Sequence, residues 1–402
     1  MNVLYSFPLR FGMTGTGNLA WQMVNALARQ GVDVYLSCGS CERQVDVTAI
    51  KQTLVRHGIK LPIKLLGIDY AAALHDRITA SWLEKLAAGV RIDVVHCWPV
   101  GAQETLKTAR RLGIKTAVER PNTHTGHAYR VVQQECSRLG VKLEKGHSHK
   151  QNERRLKREL QEYDLADLLL CPSRQVKDSF VKEGFGDEKL AIHQYGFDPG
   201  VFSEPLRDTR VKSDIFRVAF VGSGEPRKGL HYALDAWLGS KASNHGILYI
   251  CGTILDGYRE MLAEKLAHPS VRQLGRTGNV AEIMQKSHAL ILPSIEEGSA
   301  LVTYEARACG AVLLVSDACG ARCIHMHDSL VHKVGDTKAL TEHIDKLYSN
   351  RELFSRLQDN SLAGANELTW EKAGQILAGV YEDLLNGKTD SDGRKTAGQF
   401  AL

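Results

Sequence analysis

Glu296-Glu297-Gly298-Ser299-Ala300-Leu301-Val302-Thr303-Tyr304-Glu305-Ala306 lies between two short apolar runs, Ala289 to Leu292 ahead of it and Ala311 to Val315 behind it. The order reads as strand, loop, helix, strand. A buried strand of an open α/β sheet delivers the chain to the carboxyl edge, where such sheets bind ligands. Backbone N–H groups near Ser299 to Val302 then open a helix and face an anion. Glu305, about a turn and a half further on, is placed to accept hydrogen bonds from ribose hydroxyls. The plain alternative is an amphipathic helix carrying two solvated acids, Glu297 and Glu305.

The same alternation of apolar runs and amphipathic helices extends over the whole chain and predicts parallel sheets covered by helices. In the first half, strands are expected at Val3–Phe7, Val32–Ser37, Lys64–Ile68, Ile92–Cys97, Thr116–Glu119 and Leu168–Cys171. Helices are expected at Asn18–Gln30, Ala102–Arg111 and Asn152–Tyr163, the first with Trp21, Val24, Leu27 and Ala28 on one stripe. Gly196-Phe197-Asp198-Pro199-Gly200 and the polar sequence to Asp214 break the pattern. It resumes with strands at Phe216–Val221, Leu248–Cys251, Val271–Leu274, Ala289–Leu292, Val312–Val315 and Leu330–Val334. A last helix is expected from Thr369-Trp370 to about Leu385, and the Gly-, Lys- and Ser-rich end to remain disordered.

With 402 residues the chain can form two domains with separate cores. At 43% hydrophobic and 24% charged residues, disordered and fibrous classes are excluded. No apolar run approaches the ~20 residues of a membrane span, and the chain enters a strand at Asn2 without a signal-like segment, so a cytoplasmic location is expected. Nine scattered cysteines suit a reducing compartment, and Cys38-Gly39-Ser40-Cys41 is read as incidental thiols. The net charge of +5 is partly concentrated in Lys107 to Lys115 and Lys145 to Arg158. Such a basic N-domain face can meet anionic head groups or a phosphorylated acceptor at the inner face of the membrane. Glu153, Glu159 and Glu162 interleave with the second stretch, which leaves a solvated helix face as the other reading. No nucleic-acid module is present.

E-G-S-A-L-V-T-Y-E-A, flanked by P-S and A-C-G, resembles the E-x7-E signature of retaining glycosyltransferases of glycosyltransferase family 4. The resemblance covers roughly residues 1–385. It implies the GT-B fold, two Rossmann-like doubly wound domains facing a central cleft. The N-terminal acceptor domain would span 1–200, the donor domain 201–369, and the C-terminal helix 370–386 would pack back on the first, leaving 387–402 as a tail. Phe220-Val221-Gly222-Ser223-Gly224-Glu225-Pro226-Arg227-Lys228-Gly229 resembles the family's V-G-R…K-G diphosphate loop, with Ser223 where the family has Arg. Lys228 would then be the main cation, and Arg227 would supply the missing charge.

Gly15-Thr16-Gly17 on its own fits the dinucleotide pattern G-x-G-x-x-A. The loop from Phe7 looks too long for that turn, and no acid ends the second strand, so the resemblance favours a glycine loop facing diphosphate and acceptor. His124 matches the family position whose histidine reaches the transferred sugar, with His127 a weaker candidate, and Glu119-Arg120 would shape the acceptor pocket. Arg276 would offer backbone atoms to the nucleotide base.

The expected activity is retaining transfer of a hexose from a nucleoside-diphosphate sugar to a glycan or lipid-linked acceptor, within cell-surface polysaccharide biosynthesis. Glu297 would orient the sugar and Glu305 would hold the ribose. Lys228, Arg227, Gly222 and Ser223 would face the diphosphate, with Ser299, Ala300, Leu301 and Val302. No cofactor beyond the co-substrate is expected, and no metal, since no D-x-D stands out. A related enzyme that hydrolyses, epimerises or phosphorolyses its sugar, and a non-catalytic sugar-nucleotide sensor, remain as alternatives.

Overall fold

The computed structural model describes residues 1–63, 67–144, 146–204 and 215–388. They fall into two compact units: Met1–Thr125, Asn152–Tyr195 and the described residues from Trp370 to Lys388 form the first, Gly126–Gln151 and Gly196–Thr369 the second. Residues 126–151 belong to the N-terminal half of the sequence yet group with the second unit. Among the described residues no helix is long and apolar enough to cross a membrane.

The first unit is built from β1 (Asn2–Phe11), β2 (Asp33–Cys41), β3 (Ala49–Gln52), a small antiparallel pair β4 (Val55–Arg56) and β5 (Ile59–Lys60), then β6 (Val94–Cys97), β7 (Lys115–Glu119), β8 (Leu168–Cys171) and β9 (Leu190–Ile192). Seven of these strands form a sheet in the order β3-β2-β1-β6-β7-β8-β9, every pairing parallel. β6 and β8 are buried along their whole length, as near-continuous apolar strands covered on both faces must be. Residues 64–66 of the expected strand Lys64–Ile68 lie outside the described residues, and Ile68 opens the helix Ile68–Ala87. Most of the expected linker, 205–214, and the tail from 389 also lie outside them.

On the helix Thr16–Arg29 the buried stripe is Leu19, Ala20, Met23, Val24 and Leu27, so Val24 and Leu27 of the expected stripe are buried while Trp21 and Ala28 are half-buried. Trp21 sits at the rim: its indole N–H donates to the Gln44 carbonyl at 2.8 Å and the Arg43 guanidinium lies 3.6 Å over its ring. A large aromatic with a polar handle prefers that half-buried place. The C-terminal helix Trp370–Leu385 packs on Thr16–Arg29, where a Cβ on Gly374 would come within 2.6 Å of the Ala26 carbonyl oxygen. Tyr381 on this helix is hydrogen-bonded to His96 Nδ1 of β6 at 2.6 Å.

β10 (Phe216–Val221), β11 (Gly246–Cys251), β12 (Val271–Gly275), β13 (Ala289–Leu292), β14 (Val312–Ser316) and β15 (Ser329–His332) form the second sheet, in the order β12-β11-β10-β13-β14-β15. All its pairings are parallel too. Its core joins Phe216, Val218, Phe220, Trp237, Leu248, Ile250 and the buried residues of β13 and β14. In each sheet the strand order reverses beside the first strand, between β1 and β6 and between β10 and β13. Open parallel sheets bind ligands at such a reversal, outside the carboxyl ends of the strands.

The carboxyl end of β1 is tighter than the sequence suggests. β1 runs on to Phe11, so only Gly12 to Gly15 connect it to the helix, and the Gly12 N–H reaches the Gly17 carbonyl at 3.0 Å. Gly12 and Gly15 take φ of 84° and 70°. An acid also follows β2 after all: Glu42 accepts from Lys60 at 2.6 Å, Ser40 at 2.7 Å and Arg10 at 3.3 Å. The Lys60 hydrogen bond, with those of Ser40 and Arg10, brings its pKa down to about 2. Both sequence arguments against a dinucleotide site therefore lose their geometric basis. What opposes that site is the saturation of Glu42 by protein donors.

At Gly17 a Cβ would lie 2.3 Å from the Arg10 carbonyl oxygen, and backbone cannot retreat from it. Gly17→Ala is expected to lower stability by about 1–3 kcal/mol, the usual range for overpacking. Gly89→Ala, with nothing within 4 Å of the new methyl group, should leave the denaturation midpoint in place.

Candidate active site

Two loops leave the second sheet side by side, one after β10 and one after β13. The first turns through Gly222 at φ 149°, makes the short 3-10 turn Pro226–Lys228, and enters the helix Leu230–Gly239 through Gly229 at φ 69°. A Cβ on Gly229 would come within 2.1 Å of the Pro293 carbonyl oxygen, so only glycine lets the loops touch here. The Ile295 N–H closes the contact by donating to the Arg227 carbonyl at 2.9 Å.

Charge fills the space between them. Glu297 takes Lys228 Nζ and, at 3.1 Å, Arg227 Nη1 on the same carboxylate oxygen. Arg227 also donates to the Glu296 carbonyl at 3.1 Å and pairs with Glu225 at 3.2 Å. Burial opposes the charge on Arg227, and Glu297, Glu225 and Glu296 together outweigh it, so its pKa rises above the ordinary guanidinium value. Arg227 is therefore committed to three carboxylates and ties the loops together, instead of standing ready for phosphate as the sequence suggests. Among the described residues Lys228 has one partner, Glu297, and is the cation an incoming anion can draw away.

Sequence reasoning missed four participants. Glu225 and Glu296 stand inside the quoted motifs, but their role depends on the contact between the two loops. His147 and His149 come from the segment 126–151. His147 Nε2 donates to Glu225 Oε2 at 2.8 Å, and His149 Nε2 lies 3.2 Å from Glu296 Oε2. Burial works against ionisation of Glu225, yet the His147 hydrogen bond and neighbouring Arg227 bring its pKa down to about 2. The segment is anchored further up by Glu135, which accepts from His231 Nε2 at 2.8 Å, and by Val132 and Cys136 packed on Ile295. The only sequence signal was the alternation of two histidines in a basic stretch.

Beyond Glu297 the chain enters the helix Leu301–Ala308. The first N–H groups of a helix have no partner within it. Ser299 is fixed by Tyr304 at 2.7 Å and by the Gly320 carbonyl at 3.2 Å, and Ala300 is buried beside it. Glu305 has neither an ion pair nor a hydrogen bond among the described residues, and burial alone pushes its pKa up to about 7. Gly222 and Arg276 lie at the same edge because the sheet is parallel. Ser223 and Arg276 are exposed, and Arg276 follows the edge strand β12, two strands from β10.

The first-unit candidates are placed differently. Gly15, Thr16 and Gly17 do open a helix at the carboxyl end of β1, with Gly15 and Thr16 exposed. His124 is 3% exposed, and its ring lies against Phe180 at 5.1 Å, Tyr163 at 5.7 Å and Phe185 at 5.9 Å. That aromatic box packs the His124 ring inside the first unit, with little of it open to solvent. His127 is half-buried on the first turn of the helix Thr125–Leu139. Glu119 and Arg120 are buried as well. Glu119 takes His193 at 3.1 Å and Tyr195 at 2.8 Å, while Arg120 pairs with Glu159 at 3.1 Å, so neither shapes an open pocket.

Two family profiles match the chain: Glycosyltransferase Family 4 over residues 13–200 and Glycosyl transferases group 1 over 204–363. An uncharacterised glycosyltransferase of Methanocaldococcus jannaschii is 27% identical over 227 residues, 54% of this chain and 60% of that protein. The N,N'-diacetylbacillosaminyl-diphospho-undecaprenol alpha-1,3-N-acetylgalactosaminyltransferase of Campylobacter jejuni is 32% identical over 124 residues, 30% of this chain and 33% of that protein. The chain thus matches less than two thirds of the length of either relative. Among solved structures, Anabaena HepE in complex with UDP superposes with a TM-score of 0.67 at 15% identity, covering 95% of this chain and 100% of HepE. The chain thus has the GT-B fold, two doubly wound parallel sheets, and carries glycosyltransferase family domains in both its N-terminal and C-terminal parts.

Proposed function

We propose that the protein transfers a hexose from a nucleoside-diphosphate sugar, with retention, to a glycan or lipid-linked acceptor. The observation that carries this reading is the pairing of Lys228 with Glu297 across the β10 and β13 loops, next to the opening of the helix Leu301–Ala308. A diphosphate entering there meets Lys228 and the first N–H groups of the helix. Glu305, without a partner among the described residues, accepts from the ribose hydroxyls. Glu297, released from Lys228, orients the sugar. The UDP bound to HepE supports the class of donor, and the polyprenyl-diphosphate acceptor in the Campylobacter enzyme's name supports a lipid-linked one. Polysaccharide assembly at the cytoplasmic face of a membrane is the setting that fits both.

In the reaction the bond between the anomeric carbon and the diphosphate oxygen breaks, leaving an oxocarbenium-like centre. The acceptor hydroxyl attacks from the same face and passes its proton to a phosphate oxygen. Negative charge grows on the diphosphate, and Lys228 with the helix N–H groups stabilises it. Fixed donors of this kind contribute on the order of 3 kcal/mol each.

Lys228→Ala is expected to lower turnover about 10²–10³-fold, measured as nucleoside-diphosphate release from a panel of UDP-, GDP- and ADP-sugars. Glu305→Ala should weaken nucleotide binding in a thermal-shift titration. Wild-type behaviour in both variants contradicts the assignment.

A pH dependence follows from Glu305 as well. Its pKa is raised from 4.5 to about 7 in the folded protein, so the unfolded chain loses this proton first. The group's contribution to stability is complete below about pH 4.5 and is lost as pH climbs through about 7. Glu305→Gln should therefore gain stability relative to wild type across that window in nucleotide-free unfolding experiments. An unchanged difference between pH 4 and 8 contradicts it.

A further inference from the structure

The part of the basic stretch from Arg154 to Arg158 takes no part in the site just described. The helix Glu153–Leu165 spaces Arg154, Lys157, Arg158 and Gln161 three and four residues apart, so they share one face. That face, with Arg77 of the helix Ile68–Ala87 and the first turn of the helix Gln103–Arg111, lines a cavity of about 390 Å³. One water's share of liquid volume is roughly 30 Å³, so the space admits a ligand of several heavy atoms. All of its lining residues belong to the first unit.

The two acids on the cavity wall are already engaged. Asp76 accepts from the Glu104 and Thr105 N–H groups at 2.9 Å each and from the Thr105 hydroxyl at 2.8 Å, which satisfies the start of the helix Gln103–Arg111. Glu104 turns to Lys107 at 2.8 Å. Arg158 is held between Asp76 and Glu162, 3.6 Å from each. Gln103 and Gln161 close the rim with a hydrogen bond of 2.8 Å. Arg77, Arg154 and Lys157 remain, exposed and with no ion pair or hydrogen bond among the described residues. A concave, fixed floor under three uncompensated cations attracts a compact multivalent anion.

We propose that this cavity is a phosphate-binding site, taking a phosphate or diphosphate group through Arg77, Arg154 and Lys157. Arginine forks suit phosphate oxygens, and Lys157 adds a point charge. The group has two possible sources, a soluble phosphate ester or the head group of an anionic lipid.

The test uses the full chain in a Lys228→Ala background, so that failure here and failure of the sugar-transfer reading are separable. One variant adds Arg77→Ala, Arg154→Ala and Lys157→Ala. A control removes equal charge elsewhere in the same unit, with Lys51→Ala, Lys85→Ala and Lys115→Ala. Calorimetric titration with inorganic pyrophosphate should show affinity at least about tenfold weaker in the first variant only. If pyrophosphate binding is the same in both, but co-sedimentation with phosphatidylglycerol vesicles falls about tenfold in the first variant alone, the source is a lipid head group. Equal losses in both variants, or no loss in either assay, overturn the proposal.

Discussion

The second unit is organised around one contact, the meeting of the loops after β10 and β13. Two parallel strands that are neighbours in space but far apart in sequence put their carboxyl ends side by side. There Gly229 lets backbone approach backbone, and Arg227 is gripped by Glu225, Glu296 and Glu297. A buried guanidinium with several carboxylates is costly to break, because each acid left behind would lose its counter-charge. The arrangement consequently fixes the position of Lys228 and of the helix opening at Leu301. Those are the groups proposed to receive the diphosphate.

Charge balance explains why the segment 126–151 matters. Three acids converge on two cations, Arg227 and Lys228, and the excess negative charge faces His147 and His149. The two histidines thus belong to the same electrostatic unit as the loops, although most of the sequence between them and β10 belongs to the first unit.

Much of the architecture was legible as local pattern. Apolar runs such as Ala289–Leu292 and Leu168–Cys171 coincide with β13 and β8, because central parallel strands are buried on both faces and tolerate few polar residues. The glycines around Arg227 and Lys228 marked the loop correctly. What local pattern misses is anything decided by distant partners. Trp21 fits the helical stripe on paper but is placed at the rim by Gln44 and Arg43. His124 has the spacing of a site residue and is packed among Tyr163, Phe180 and Phe185. Arg227 resembles a phosphate ligand until its three carboxylates are counted, and β1 outruns its apolar start because Arg10 and Phe11 resume pairing with β2 after a register shift past Phe7.

The central claim is that a nucleoside diphosphate binds where the β10 and β13 loops meet. Amide hydrogen exchange on the full chain, with and without saturating UDP, GDP or ADP, tests it most directly. At least one nucleotide should slow exchange in Gly222–Gly229 and in Ser299–Val302 together. Protection confined to other segments, or no change with any of the three, would contradict the account.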